Sequence, residues 1–169
     1  SDKLNTNTYY FFIKHLLFII LGIFILITFS AIDKNRLFQI SKILFLIFFI
    51  FLALIPFIGI EVKGSMRWVD LPLIPRFQPI EILKPFLIII ISTVFAFNNQ
   101  KHLYFKYLLS FLIIFPVTLF LISQPDLGQT ILIVLTWFAL IFVSGINLLY
   151  FFGFFILTFS ILFYLILYV

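Results

Sequence analysis

Long apolar stretches, each followed by a short polar segment, recur along the whole chain and limit what it can fold into. The six stretches are 15–32, 43–60, 80–97, 107–122, 129–143 and 148–169. Most of them approach the roughly 20 residues that an α-helix needs to cross about 30 Å of hydrocarbon. A helix satisfies its own backbone hydrogen bonds, as a membrane requires. The pattern predicts an all-α, polytopic transmembrane helix bundle of about six helices, forming a single membrane domain over residues 1–169.

The balance of apolar and charged residues excludes most other classes of protein. Hydrophobic residues make up 64% of the chain and charged residues 10%, whereas soluble domains carry about 25% charged residues. The net charge is +5, but the basic residues are scattered between apolar stretches and form no phosphate-neutralising basic domain, so no nucleic-acid partner is expected. The chain has no cysteine, and His15 and His102 are far apart, so no metal site built by the protein is predicted.

The connections between the stretches give a provisional topology. Pro125 and Gly128 mark a tight turn at 123–128, and Gly145 and Asn147 mark the next one. If each apolar stretch crosses the membrane once, the longest connection, 61–79, lies on the same side as the 123–128 turn. Basic residues divide almost evenly between the two sides, but the other side has shorter and denser basic segments. This favours a cytoplasmic position for that side and makes 61–79 an outer loop.

Four ionisable residues are expected near the outer side: Arg67, Glu81, Lys84 and Asp126. Glu81 and Lys84 are three positions apart on a helix that begins near Pro79, so they can form an ion pair. Ionisable groups at the membrane boundary are costly, which makes them candidates for function. Together they have the chemistry to bind a lipid diphosphate, with the cations holding phosphates and a carboxylate accepting a proton from a sugar hydroxyl.

Each of these residues also has a purely structural explanation, and the sequence leaves both open. Glu81 suits the start of a helix, with the neighbouring lysine extending toward the interface. Asp126 suits the N-cap of the fifth helix. Trp68 suits an anchor at headgroup depth. Arg67 and Arg76 are equally suited to contacts with lipid headgroups.

Three short motifs contain these residues, and they resemble the SEDS family, the FtsW, RodA and SpoVE proteins of bacterial cell-wall synthesis. The motifs are GSMRW at 64–68, FQPIEILK at 77–84 and QPDLG at 124–128. Their order and spacing agree with the family pattern, and the resemblance covers nearly the whole chain. The segments EVKG, Lys84-Pro85 and Gln129-Thr130 make the chain more similar to the FtsW, or division, members. One departure is Ile80, which stands where the family usually has serine.

The resemblance implies a peptidoglycan glycosyltransferase that polymerises lipid II in septal cell-wall synthesis, in the bacterial inner (cytoplasmic) membrane at the division septum. The implied partners are lipid II, the growing glycan strand, membrane lipid, and a class B penicillin-binding protein within the division machinery. No cofactor is certain; Mg or Mn at the lipid diphosphate is an expectation. A lipid II flippase or transporter and a non-catalytic scaffold of the division machinery are the alternatives.

The resemblance also implies roles for particular residues. Arg67 and Lys84 would bind or orient the diphosphate, and Glu81 would pair with Lys84 to order the cavity. Structural positions near the site are Gly64, Trp68, Gln78, Pro79, Gln124, Pro125, Asp126 and Gly128. Family members have about ten transmembrane helices, of which this chain resembles the second to the seventh. The family's catalytic aspartate is therefore expected beyond Val169, no catalytic residue is assigned within the chain, and the chain alone is expected to be inactive.

Overall fold

A computed structural model describes residues 8–62, 64–72, 74–96 and 103–168. Within these residues, six α-helices and three short β-strands follow one another. They are α1 Thr8–Ser30, α2 Lys34–Ile58, β1 Ile60–Val62, β2 Ser65–Leu71, β3 Ile74–Phe77, α3 Pro79–Ala96, α4 Leu103–Ser123, α5 Leu127–Val143 and α6 Leu148–Tyr168. The ends of the predicted stretches 80–97 and 148–169 lie outside the described residues, as do residues 63 and 73.

The chain divides into two compact units, of which the first, Ser1–Gln39, contains α1 and the beginning of α2. From Phe11 onward most side chains of α1 are apolar and exposed on every side of the helix, and Leu26, for example, is 68% exposed. A helix that is hydrophobic all round fits a lipid environment better than the surface of a soluble protein. Asp33 precedes α2, and its carbonyl accepts a hydrogen bond from the backbone N–H of Leu37 at 2.8 Å, which begins that helix.

The second unit, Ile40–Val169, has its core where α3, α4 and α5 pack together. Each of these helices contributes apolar residues spaced three or four positions apart, which places them on one face. They include Leu83, Leu87 and Ile91 of α3, Ile114, Val117 and Leu121 of α4, and Ile133, Trp137 and Ile141 of α5. Within this core the indole Nε1–H of Trp137 donates to Ser110 Oγ at 3.0 Å, so the buried ring has a polar partner.

The connection 61–79 contains strands that the sequence analysis did not predict. β1, β2 and β3 form a three-stranded antiparallel sheet in that order. Gly64 lies in the turn between β1 and β2 with φ of 83°, a backbone region that glycine adopts without steric cost. The prolines and charges of this segment are typical of a loop, but most of β2 alternates between more and less exposed residues, as a strand does, with an interruption at Arg67–Trp68 where the register with β1 shifts.

The two short turns lie where the sequence predicts them. α4 ends at Ser123 and α5 begins at Leu127, and the backbone N–H of Asp126 donates to the carbonyl of Leu121 at 2.9 Å. Between α5 and α6, Gly145 has φ of 85°, and Asn147 Oδ1 accepts from the backbone N–H of Leu149. Glycine after a helix and asparagine before the next one are the usual end and start signals.

The predicted all-α bundle of about six helices is confirmed, with the small sheet as an addition to it. The helices extend beyond the apolar stretches at several ends, because a helix does not require apolar residues and Lys34, the first residue of α2, is a good helix former. By length and composition, four described helices can cross a membrane, and two further apolar helices are shorter. The exact membrane spans, the single-domain organisation and the outer position of 61–79 stay predictions.

Candidate functional site

The first component of the candidate site is an ion pair between β2 and the start of α5. Arg67 Nη1 lies 3.1 Å from Asp126 Oδ1. Arg67 lies where the register between β1 and β2 shifts, since Ile60 pairs with Trp68 and Glu61 pairs with Met66. A β-bulge of this kind leaves one residue out of the ladder and redirects side chains locally. The sheet thus carries Arg67 of the connection to the start of α5.

Asp126 serves as a helix cap and as a counter-ion at the same time. It is the N-cap of α5, and its Oδ1 accepts from the backbone N–H of Gln129 at 3.4 Å. The capping explanation offered for Asp126 is therefore confirmed, and it does not compete with the ion pair. The carboxylate is 5% exposed and the side chain of Arg67 is 32% exposed. Arg67 is consequently the outward member of this pair.

The second component is a ring of three side chains from α3 and α5. Lys84 Nζ lies 2.8 Å from Glu81 Oε2, as the spacing of the two residues predicts. Lys84 Nζ also donates to Gln129 Oε1 at 2.9 Å, and Gln129 Nε2 donates to Glu81 Oε1 at 2.7 Å. Here the carboxylate is the outward member, because the side chain of Glu81 is 50% exposed and that of Lys84 is 19% exposed.

The structure brings the four predicted ionisable residues into one network at the beginnings of α3 and α5. Gln129 connects the two components, since its backbone bonds to Asp126 and its side chain bonds to Glu81 and Lys84. The formal charges of the four ionisable groups cancel. Binding an anion here therefore depends on which groups face it, and not on an excess of positive charge. Arg67 offers five N–H donors, of which Nε is buried without a partner among the described residues.

The remaining motif residues shape the elements around this network. Gln124 is buried, and its Nε2 donates to the backbone carbonyl of Leu52 at 3.3 Å, which attaches the 124–128 turn to α2. Pro79 is the first residue of α3, where its missing N–H costs no hydrogen bond. The carbonyl of Gln78 accepts from the backbone N–H of Glu81 at 3.1 Å. Ile80, the departure from the family pattern, is 2% exposed and packs in the core.

Three motif residues lie away from the hydrogen-bonded network. Trp68 is half-buried and pairs with Ile60 of β1. Pro125 and Gly128 are exposed. A Cβ atom built on Gly128 would meet no atom within 4 Å.

Arg76, the other arginine of the connection, forms a separate and more exposed ion pair. Its Nε donates to Asp70 Oδ2 at 2.8 Å. The two side chains are 61% and 42% exposed, and both lie on the sheet. This pair resembles an ordinary surface ion pair and takes no part in the network at α3 and α5.

An apolar cleft of about 260 Å³ continues from Lys84 along α3 and α5. Apart from Lys84 its lining includes Leu87 and Ile91 of α3 and Ile133, Trp137 and Leu140 of α5. A second cleft of about 510 Å³ lies between α4, α5 and α6, and Trp137 borders both. A cation at one end of an apolar cleft is suited to an amphiphilic molecule with an anionic head.

The described residues do not fit a dedicated metal centre. They contain no group of three or more His, Cys, Asp or Glu side chains placed to hold one ion. Glu81 and Asp126 each already accept bonds from cations or amides. A divalent cation at a bound diphosphate would take most of its ligands from phosphate and water, and it stays a prediction.

Gln129 is the site residue that the sequence analysis missed. It was noted only as part of a sequence similarity, because a neutral amide on an apolar helix gives no electrostatic signal. The sequence shows that Gln129 follows Asp126, the N-cap of α5, by three residues. Only the tertiary structure shows that Gln129 contacts Glu81 at the start of α3. The functional roles assigned to Arg67, Glu81 and Lys84 stay predictions.

Comparison with known proteins identifies relatives of the whole chain. The model of the FtsW/RodA/SpoVE family, described as cell cycle proteins, matches residues 1–169. A protein of Aliivibrio salmonicida named "Probable peptidoglycan glycosyltransferase FtsW" is 29% identical over 150 residues. That match covers 88% of this chain and 37% of the relative. The chain therefore spans well under half the length of this relative.

Two solved structures are also similar to the chain. The rod shape determining protein RodA of Thermus thermophilus matches with a TM-score of 0.66 and 27% identity, covering 81% of this chain and 46% of that protein. A chain from a study of how a peptidoglycan synthase complex coordinates polymerisation and crosslinking matches with a TM-score of 0.64 and 28% identity, covering 74% of this chain and 37% of that one.

Family membership and the apolar helices together indicate a multi-pass membrane protein. The motifs that carried the resemblance lie at the network described above, and the family match includes every helix that surrounds them. This chain belongs to the FtsW/RodA/SpoVE family of cell cycle proteins and is most similar to its FtsW members.

Proposed function

We propose that the protein containing this chain is a peptidoglycan glycosyltransferase that polymerises lipid II during septal cell-wall synthesis. The observation that carries the proposal is the network in which Arg67, Asp126, Glu81, Lys84 and Gln129 meet at the beginnings of α3 and α5. Relatives of similar sequence are named as peptidoglycan glycosyltransferases. The apolar cleft that begins at Lys84 supports a lipid-linked substrate.

In the proposed reaction, negative charge develops on the leaving diphosphate, which Arg67 and Lys84 would contact. A sugar hydroxyl attacks the anomeric carbon of the lipid-linked donor, a new glycosidic bond forms, and the bond to the diphosphate breaks. The diphosphate leaves with the bonding electrons, so negative charge increases on its oxygens in the transition state. Fixed cations directed at those oxygens stabilise that charge. Arg67 suits this role because its side chain is partly exposed beside a buried counter-ion and its guanidinium has donors to spare.

The second pair is proposed to act in a different way. Lys84 lies beneath Glu81 and beside the apolar cleft, so it would meet a phosphate from the side of the lipid chain. Glu81 keeps the ammonium in place and is itself exposed. The proton of the attacking hydroxyl would pass to the aspartate expected beyond Val169 by family resemblance, and not to a residue of this chain.

The location and the partners belong to the same proposal. The protein would lie in the bacterial inner (cytoplasmic) membrane at the division septum, with the network on its outer side. Its partner would be a class B penicillin-binding protein within the division machinery, because polymerised strands must be crosslinked. Support comes from the similar chain whose study concerns a complex that coordinates polymerisation with crosslinking. The described residues do not fit a resident metal centre, so no step is derived through one.

The test uses the complete gene product that contains this chain, reconstituted in proteoliposomes with fluorescent lipid II. Wild type is compared with Glu81→Ala and Lys84→Ala, after equal membrane insertion of all proteins has been verified. Arg76→Met serves as the matched control, since it removes an exposed ion pair outside the network. Polymer from wild type and from Arg76→Met, with a loss of at least about 10-fold in the two network variants, is the expected result.

The other outcomes separate the alternatives. A well-inserted wild type that makes no polymer with its partner present contradicts the glycosyltransferase proposal. Movement of lipid II across the membrane without polymer would favour a transporter. Full cell division by the Glu81→Ala and Lys84→Ala variants, again without polymer, would favour a non-catalytic scaffold.

A further inference from the structure

Gln129 occupies a position in which both ends of its amide are bound to charged groups. Its Oε1 accepts from Lys84 Nζ at 2.9 Å and its Nε2 donates to Glu81 Oε1 at 2.7 Å. Only this orientation of the amide is possible, because an ammonium group only donates and a carboxylate only accepts. The 2.8 Å contact between Lys84 and Glu81 closes the ring. Each of the three side chains is thus fixed by the other two.

The backbone of the same residue belongs to the other charge pair. The N–H of Gln129 donates to Asp126 Oδ1, and the same oxygen lies 3.1 Å from Arg67 Nη1. One residue therefore contacts the counter-ion of Arg67 through its backbone and both members of the Glu81–Lys84 pair through its side chain. Its backbone lies in the first turn of α5, three residues after the N-cap.

We propose that Gln129 is a positioning residue that fixes the Lys84 ammonium relative to the Arg67 guanidinium, so that one diphosphate can contact both cations. The inference rests on the proposed function. A lysine and a glutamate that meet at a membrane boundary with the glutamate half exposed hold one another only loosely, because both side chains keep several rotamers. A third partner from a different helix removes that freedom.

The neutrality of Gln129 is as important as its hydrogen bonds. The amide offers one donor and one acceptor without adding charge, so the four ionisable groups keep their balance. A carboxylate at this position would still accept from Lys84 but would face Glu81 with like charge. It would also make the site negative overall and repel an anionic ligand. This distinguishes positioning by Gln129 from a simple need for a polar residue.

The experiment measures kcat and KM for lipid II with the complete gene product and its variant Gln129→Met. Methionine keeps the length of the side chain and leaves the backbone bond to Asp126 in place. We expect kcat/KM to fall about 10- to 100-fold, mainly through KM, because a shift of about 1 Å in a binding group costs this much. Ser92→Ala is the control: among the described residues, the hydroxyl of Ser92 donates to the carbonyl of Ile89 in its own helix and contacts no member of the network.

A double-mutant comparison tests whether Gln129→Met lowers kcat/KM through its effect on Lys84. If Gln129 acts through Lys84, then Gln129→Met produces no further loss in the Lys84→Met background. An unchanged KM in Gln129→Met, or losses that multiply fully in the double variant, would overturn the inference. Polymerisation by wild type in the same assay shows that the proposed function itself still holds.

Binding of undecaprenyl diphosphate in nanodiscs provides a second readout that does not require turnover. If Gln129→Met inserts poorly, Gln129→Glu replaces it, since glutamate has the same length and keeps an acceptor for Lys84. We expect Gln129→Glu to bind this probe at least about 10-fold more weakly than wild type, with like charge beside Glu81 as the cause. Equal binding of the probe by wild type and Gln129→Glu would overturn the inference even if wild type makes no polymer.

Discussion

The connection between α2 and α3 contains two arginines, and each forms an ion pair with an aspartate in different surroundings. Arg76 and Asp70 are 2.8 Å apart, both lie on the sheet, and both are largely exposed. Arg67 and Asp126 are 3.1 Å apart, come from different elements, and include a carboxylate that is 5% exposed. The shorter pair is the less consequential one, because water screens exposed charges and leaves such pairs a median of about 0–1 kcal/mol.

The comparison shows that the burial and hydrogen bonds of an ion pair affect its contribution to stability more than the distance between its charged atoms does. Asp126 is buried, caps α5 and belongs to a network that reaches α3. Removal of its counter-ion would leave a buried charge without compensation, which is expensive. Removal of Arg76 would leave Asp70 in contact with solvent. Two pairs of the same residue types therefore have different expected consequences.

The largest effect on stability is expected from Arg67→Met. We expect this variant to lower the free energy of unfolding by about 2–3 kcal/mol, somewhat below the value for fully buried pairs because Arg67 is partly exposed. Asp126→Asn should cost less, since asparagine can still cap the helix and the arginine left behind can reach solvent. Denaturant unfolding of the complete protein in detergent measures both. The reverse order would contradict the burial argument.

Exchanging the carboxylate of Glu81 and the amide of Gln129 extends the comparison from stability to activity. Glu81→Gln alone should lower kcat/KM about 10-fold, because Lys84 loses its counter-ion. The double variant Glu81→Gln/Gln129→Glu again contains one carboxylate, one amide and one ammonium, so the same ring can form. We expect it to recover most of the loss. Absence of recovery in a well-folded double variant would mean that the carboxylate of Glu81 is needed at its own position.

Gly128 and Gly64 offer a smaller contrast between two glycines of the motifs. A Cβ on Gly128 meets no atom within 4 Å, so Gly128→Ala should raise the stability of α5 by about 0.5–1 kcal/mol. Gly64→Ala should destabilise by about 1 kcal/mol, since φ of 83° strains any L-residue with a side chain. Thermal unfolding measures both changes. A Gly128→Ala protein that is more stable but less active would indicate that a ligand approaches this position closely.

The smallest effect is expected from Arg76→Met. The variant should change the free energy of unfolding by less than about 0.5 kcal/mol, as is usual for exposed pairs. Its polymerisation rate should equal that of wild type. A loss of stability as large as that of Arg67→Met would contradict the distinction between the two pairs. A loss of polymerisation rate would place the sheet surface in the functional site.

Much of the site was predictable because its residues follow local rules. The Glu81–Lys84 pair follows from helical spacing, and the N-cap role of Asp126 follows from its place before an apolar stretch. The sheet in the connection was not predicted, because its strands are short and contain charges and proline. The orientation of Arg67 depends on that sheet, because Arg67 lies at the register shift between β1 and β2. The pairing of Arg67 with Asp126 therefore could not be derived from spacing.

The sequence by itself determined the class of the molecule, because apolar stretches of membrane length leave few alternatives to a helix bundle and three spaced motifs identify the family. Tertiary structure alone decided which polar groups meet. Gln129 is neutral and gives no electrostatic signal in the sequence, yet it joins the two ion pairs because α3 and α5 pack with their first turns side by side. Contacts between residues far apart in sequence depend on packing geometry, and local patterns do not contain that information.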